Sequence, residues 1–164
     1  QKAFNLDVDG NVTALGDGLM VIRKLFGAAF DGDVLTNKAI SNEATRTSQE
    51  IHDFIQSAID DKTLDVDGDG SVTALGDGLM VIRKLFGPAF GGDKLTDKAM
   101  SNNATRTTDE IHEYIDTMTT VDPIAWRNKW NAYYLHKKKS YGCTPNSLNT
   151  TPRKHSIVHT FIIA

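Results

Sequence analysis

The chain has 164 residues, of which 40% are hydrophobic and 24% are charged, and its formal net charge is −3. A chain of this size forms one or two small domains rather than a large enzyme core, and its single cysteine excludes an internal disulfide. There is no run of about 18 apolar residues, so we expect no membrane span. It begins at Gln1 without an apolar leader, as a mature product or a fragment does.

The first two thirds of the chain contain a sequence repeat. Residues 12–27 and 72–87 are identical, at an offset of 60. This offset also aligns the acidic stretches that precede them, which differ in composition but not in spacing. We therefore predict a first repeat at residues 1–60 and a second repeat at 61–118.

Each repeat begins with an acidic loop in which oxygen-bearing side chains alternate and a glycine takes the sixth place. We name residues 5–17 the first acidic loop and residues 65–77 the second. Ca²⁺ binds roughly six to eight oxygens, so a short loop must curl and direct successive carboxylates inward. The candidate ligands are Asn5, Asp7, Asp9, Asn11, Thr13 and Asp17 in the first loop, and Asp65, Asp67, Asp69, Ser71, Thr73 and Asp77 in the second.

These ligands would act in different ways, and the two loops are not equal. Asn11 and Ser71 would offer a backbone carbonyl, and the threonines would bind directly or through water. The closing acid is an aspartate at the thirteenth place. The first loop has three aspartates and the second has four, so we predict weaker binding in the first. The alternative is an acidic turn without metal, capped by threonine, with its last aspartate at the positive end of a helix.

A short helix is predicted after each loop, from the segment "ALGDGLMVIRKLFG" that both repeats share. In the first repeat its apolar stripe would be Leu15, Leu19, Ile22 and Phe26, with Gly27 as the stop signal. Val12 and its equivalent Val72 stand where a short β-bridge between the two loops could form.

A second helix is predicted later in each repeat, starting at a capping box. Thr47 with Glu50, and Thr107 with Glu110, have the spacing at which each side chain satisfies the other residue's backbone N–H. For the arginine of the preceding "ATRT", which is Arg46 in the first repeat, we expect a structural role in bonding carbonyls or Asp33.

The loop-then-helix pattern in tandem resembles the F-hand repeats of bacterial dockerin domains, over residues 5–118. The segments "GDVLTNKAISNEATRTSQEIHDFI" and "GDKLTDKAMSNNATRTTDEIHEYI" look like the rest of a dockerin-like unit of secreted bacterial proteins. The resemblance implies two Ca²⁺ ions, an extracellular or cell-surface location, and a cohesin-like protein partner. The connection between the loops is longer than in dockerins, and Ala14-Leu15 stands where a hydroxylated recognition pair is usual.

The tail, residues 119–164, differs in charge from the repeats. It carries 7 basic residues and 1 acidic residue, whereas residues 1–118 carry 11 basic and 20 acidic. We predict an aromatic, basic helix over about 123–138, which either docks on the repeats or contacts a membrane surface or nucleic acid; docking is the reading we favour. A strand over 156–163 would need a partner edge, for example in another subunit, unless this tail is foreign to the repeats.

Together these features predict an all-α protein of tandem F-hand calcium-binding repeats with additional amphipathic helices and a short terminal strand. The function we expect is an extracellular structural or assembly unit made rigid by two Ca²⁺ ions. The alternative is a calcium-dependent adhesion module that binds a cohesin-like partner. Self-assembly through strand 156–163 is the other partner we consider. No nucleophile has a base at a persuasive spacing in the sequence and no nucleotide-binding motif is present, so we expect neither an enzyme nor a nucleic-acid-binding protein.

Overall fold

The computed structural model describes residues 4–119, which lie within one compact unit of the chain, residues 1–128. The helices are α1 (Leu19–Leu25), α2 (Ser48–Asp60), α3 (Leu79–Leu85) and α4 (Thr108–Thr119). Residues 4–119 contain no strand, so this part of the chain is all-α as predicted, and Val12 and Val72 take part in no β-bridge. The helix expected over 123–138 and the strand expected over 156–163 lie outside the described residues.

A wide π-helical turn precedes each of the two short helices. Ala14–Gly18 leads into α1 and Ala74–Gly78 into α3, and the amide of Gly18 donates to the carbonyl of Thr13, five residues back, over 3.1 Å. Helix α1 ends where predicted, because Gly27 after it has a φ of +81°, which a glycine adopts without strain.

The predicted apolar stripe of the first helix was wrong at both of its ends. Leu15 is 65% exposed and Phe26 is 50% exposed, whereas Met20 and Val21 are fully buried. A π turn takes more residues per revolution than an α turn, so the side chains before Leu19 do not continue the 3.6-residue stripe. The buried face of the first turn instead carries Ala14 and the carboxylate of Asp17.

The capping boxes that begin α2 and α4 are confirmed. The amide of Thr47 donates to Glu50 Oε2 over 2.8 Å, and the amide of Glu50 donates back to Thr47 Oγ1 over 3.3 Å. Thr107 and Glu110 make the same pair at 2.8 and 3.4 Å. The helices then bury one apolar face against the rest of their repeat, as the sequence pattern indicates.

The two repeats pack together with the π turn of each against the short helix of the other. A Cβ placed on Gly18 would lie 3.1 Å from both Ile82 and Leu85, and one on Gly78 would lie 3.0 Å from Leu25. The missing side chains let each turn approach the opposite helix closely. The same residues serve this contact from both sides, so the interface is symmetric between the repeats.

Each acidic loop therefore leads directly into one of two short helices, and these helices lie against the opposite repeats. Among the described helices, none has the length and apolar character that crossing a membrane would require.

Candidate metal centre

Three carboxylates of the second acidic loop converge on one point. Asp65, Asp67 and Asp77 each offer an oxygen, and these oxygens all lie within 4.8 Å of one another. All three residues are buried, with at most 7% of their surface exposed. Carboxylates this close repel one another unless they are protonated or share a cation, and the interior strengthens the repulsion. The arrangement is therefore chemically suited to a hard cation.

The closing aspartate lies inside the loop because it belongs to the π turn, which directs its side chain back toward the loop. Asp77 Oδ1 accepts from the amide of Val66 and Oδ2 from that of Thr73, each over 2.8 Å. In the first loop Asp17 accepts from the amides of Leu6 and Thr13 over 2.6 and 2.8 Å. This shared geometry explains how an aspartate at the thirteenth place can face the loop. Its carboxylate accepts hydrogen bonds from backbone amides in both the early and the late part of the loop.

The closing carboxylates are electrostatically strained. Burial raises the pKa of Asp17 to about 6, against the lowering effect of its backbone hydrogen bonds, and the charge of Asp7 raises it further. Burial likewise raises the pKa of Asp77, and the charge of Asp67 adds to the effect. A bound cation would favour the ionised form of each carboxyl group.

The first position of the two loops differs in chemistry. Asp65 accepts three backbone N–H groups, from Gly68 at 2.8 Å, Asp69 at 3.1 Å and Gly70 at 2.9 Å. Asn5, which is 1% exposed, accepts one from Asp9 at 3.1 Å, and its buried Nδ2 has no hydrogen-bond partner. An amide nitrogen cannot accept a hydrogen bond, so Asn5 completes its loop less well than Asp65.

The fifth position of each loop lies at the edge of the site. Asp69 is outside the converging group, and its Oδ1 accepts from the amide of Ser71 over 2.7 Å. Hydrogen bonds from the Ser101 side chain and the Ser71 amide lower the pKa of Asp69. Asp9 accepts from the amide of Asn11 over 2.7 Å in the same way.

The threonines of the pattern act as helix caps. Thr13 Oγ1 accepts from the amide of Gly16 over 3.0 Å, and Thr73 does so from Gly76 over 3.1 Å. Both threonines are exposed. The threonine caps expected for an acidic turn without metal are thus present. In the second loop, the cap lies beside the converging carboxylates.

Residues far along the chain from the loops also contribute. Asp67 Oδ2 accepts from the amide of Ser101 over 2.8 Å, and Asp7 Oδ2 accepts from that of Ser41 over 2.8 Å. The arginines bond carbonyls as predicted, and their targets are in the acidic loops: Arg106 donates to the carbonyl of Asp65 over 2.7 Å. The serine contacts were not predicted, although "SNEATRT" and "SNNATRT" lie at the same sequence distance from the acidic loop in both repeats.

No protein-family model matches the chain, and comparisons with curated proteins and with solved structures likewise gave no match.

Proposed function

We propose that this chain is a calcium-binding module of two dockerin-like F-hand repeats, in which bound Ca²⁺ makes an extracellular structural or assembly unit rigid. The observation that carries the proposal is the convergence of Asp65, Asp67 and Asp77 within 4.8 Å in a buried loop. These residues take the first, third and thirteenth places of the loop.

The donor set favours calcium over the alternatives. All the side-chain donors are oxygens, which suit Ca²⁺ or Mg²⁺ better than Zn²⁺ or copper. The loop would also supply the backbone carbonyl at its seventh place, and Ca²⁺ accepts such irregular sets whereas Mg²⁺ demands a near-octahedral shell and keeps its waters. Two sites are proposed because the first loop repeats the hydrogen bonds of the closing aspartate and of the third position.

The test is a calorimetric calcium titration of the full chain after removal of metal with a chelator, with far-UV circular dichroism recorded in parallel. We expect two binding events, the weaker one at the first loop, and a gain of helix. Asp67→Ala should abolish the event at the second loop. Asp97→Asn is the matched control, since it removes an exposed carboxylate outside the loops and copies Asn37 of the first repeat.

Magnesium at the same concentration should give less heat of binding and a smaller change in circular dichroism. The absence of heat at millimolar calcium, with unchanged helix content, would mean that both loops are acidic turns without metal and would remove the basis of the proposal.

The second candidate function is a dockerin-type, calcium-dependent adhesion module with a cohesin-like partner. Its contact surface would include Leu15 and Leu75, which are equivalent in the two repeats and each 65% exposed at the start of its helix. They stand where dockerins usually carry a hydroxylated recognition pair, so this chain would contact its partner through apolar side chains instead. Capture of a cohesin domain only in calcium, lost in the double variant L15S/L75S, would support this function. Self-association that is lost on deleting residues 156–164 would favour the assembly unit.

A further inference from the structure

Two segments outside the acidic loops hold them in place by hydrogen bonds. We name residues 41–46 the first clamp and residues 101–106 the second clamp. In the second clamp the amides of Ser101, Thr105 and Arg106 donate to Asp67, the first to Oδ2 over 2.8 Å and the others to its carbonyl over 3.0 and 3.1 Å. The third residue of the loop is thereby held at both its side chain and its backbone.

The arginine at the end of each clamp ties the first part of the loop to a helix. Arg106 donates to the carbonyl of Asp65 over 2.7 Å, and its guanidinium carbon lies 4.1 Å from the centre of the Tyr114 ring on α4. Arg46 donates to the carbonyls of Asn5 and Leu6 over 3.3 and 2.9 Å, and lies 4.7 Å from the ring centre of Phe54 on α2. A planar guanidinium can stack and donate at once, which an ammonium group cannot.

We propose that Arg46 and Arg106 are positioning residues for cation binding, each holding its own acidic loop in the binding shape before the ion arrives. This inference rests on the proposed function. Without the clamp, mutual repulsion would spread the carboxylates, and binding would have to reorder the loop at a cost to affinity. The clamp removes part of that cost in advance, so each cation site consists of a loop and a segment about forty residues further along the chain.

The effect of each arginine on calcium affinity should be confined to its own loop and should depend on the planar shape of the guanidinium. Arg106→Lys keeps the charge and most of the stem but loses the planar group that stacks and donates. We expect it to weaken calcium binding at the second loop roughly tenfold, a factor that corresponds to about 1.4 kcal/mol. Binding at the first loop should change by less than about twofold, and Arg46→Lys should show the reverse pattern.

The matched control is Arg83, which has the same chemistry away from the loops. It donates to the carbonyls of Leu95 and Asp97 over 3.0 and 2.8 Å and lies 5.7 Å from the ring centre of Phe90. Arg83→Lys should therefore leave both calcium affinities unchanged. This comparison separates positioning from a general structural role, because both variants disturb an arginine that is bonded to carbonyls and stacked on a ring.

The experiment is a calcium titration of the full chain followed by two-dimensional ¹H–¹⁵N NMR. The amide signals of Gly10 and Gly70, one in each loop, report the two sites separately. A loss of affinity at Gly70 alone in R106K, with no loss in R83K, is the expected result. If R106K does not retain the wild-type helix content, R46K gives the same test with the two signals exchanged.

Two contrary results are distinguishable. If wild-type protein binds calcium and R106K binds it equally well, or R83K loses as much affinity as R106K, the clamp inference is overturned and the proposed function stands. If neither glycine signal of wild-type protein responds to millimolar calcium, the proposed function fails and the inference fails with it.

Discussion

Asn5 and Asp65 occupy the first place of the two loops, the one position of the binding pattern at which their charge differs. Asp65 Oδ2 accepts the amide of Gly70 over 2.9 Å, whereas the buried Nδ2 of Asn5 has no partner. Since Nδ2 is a donor, it cannot replace the second carboxylate oxygen. The pair therefore offers a direct measure of what one oxygen and one charge add to a cation site.

We predict that Asn5→Asp tightens calcium binding at the first loop by roughly tenfold, because it adds a charged oxygen ligand and the charge of the ligands tunes calcium affinity. The reciprocal change Asp65→Asn should weaken the second loop by a similar factor. Calcium titrations read at the Gly10 and Gly70 amides would check both. Equal affinities for wild type and N5D would contradict the role assigned to the first position.

Val8 and Gly68 take the fourth place of the two loops with the same backbone conformation. Val8 has a φ of +63° and Gly68 a φ of +75°, in the left-handed region that a β-branched residue rarely adopts. This conformation costs a non-glycine residue about 1–2 kcal/mol, and glycine loses about 0.5–1 kcal/mol more entropy on folding. Val8→Gly should therefore raise the free energy of unfolding by roughly 0.5–1 kcal/mol in the absence of calcium.

The reverse substitution tests the same argument with the opposite sign. A Cβ on Gly68 would collide with Thr105 Oγ1 in the second clamp. Gly68→Val adds this overlap to the backbone strain, so we predict a loss of about 2–4 kcal/mol. Urea unfolding of both variants in chelator would measure the two changes, and a stabilising G68V would show that the loop relaxes freely.

At the scale of single elements, the capping boxes make α2 and α4 sensitive to pH. Hydrogen bonds from the Thr47 amide and hydroxyl lower the pKa of Glu50, and Thr107 lowers that of Glu110 in the same way. A carboxylate whose folded pKa is depressed contributes stability above its unfolded pKa, about 4.3, and loses it as pH falls through the folded value.

We predict that E50Q lowers the thermal midpoint of the calcium-free protein at pH 6 and that the difference from wild type vanishes near pH 3. The comparison uses the difference between E50Q and wild type, so that effects of pH common to both proteins cancel. Exposed Glu43 provides the control variant E43Q, for which we expect no such pH-dependent difference. Thermal scans by circular dichroism at the two pH values would decide it.

The sequence predicted the local elements better than their contacts. The capping boxes and the stop at Gly27 depend on neighbours a few residues away, and all are present in the structure. The exposure of Leu15 was not predicted, because the π turn at Ala14–Gly18 changes the helical period without a marker in its composition.

The missed parts of the candidate site are long-range. The serine amide that contacts Asp67 comes from residue 101, 34 positions later, and it acts through the backbone. A backbone donor leaves no trace in residue type, so the repeated segment was visible in the sequence but its hydrogen bond to the loop was not. The arginines were visible as structural anchors, but the sequence did not place their targets in the acidic loops.

At the scale of the whole described unit, the two acidic loops share one structural framework. Gly18 lies so close to Ile82 and Leu85 of the second repeat, and Gly78 so close to Leu25 of the first, that an added Cβ would crowd them. The turn that carries each closing aspartate thus packs against the opposite repeat. Stabilising one loop should therefore stabilise the helix pair as a whole, because α1 and α3 cannot separate without exposing both contact faces.

We predict that calcium raises the thermal midpoint of this unit in a single cooperative transition. An ion that binds only the folded state adds about 2.7 kcal/mol at a hundred times its dissociation constant, so the second loop alone should shift the midpoint by several degrees. Asp67→Ala should remove that shift and lower the stability of both repeats together, since the first repeat packs on the helix that follows the altered loop. Hydrogen exchange at amides of α1 and α3 would report the two halves. Calcium-dependent protection confined to α3 would show instead that the repeats unfold independently and that their contact transmits no stability.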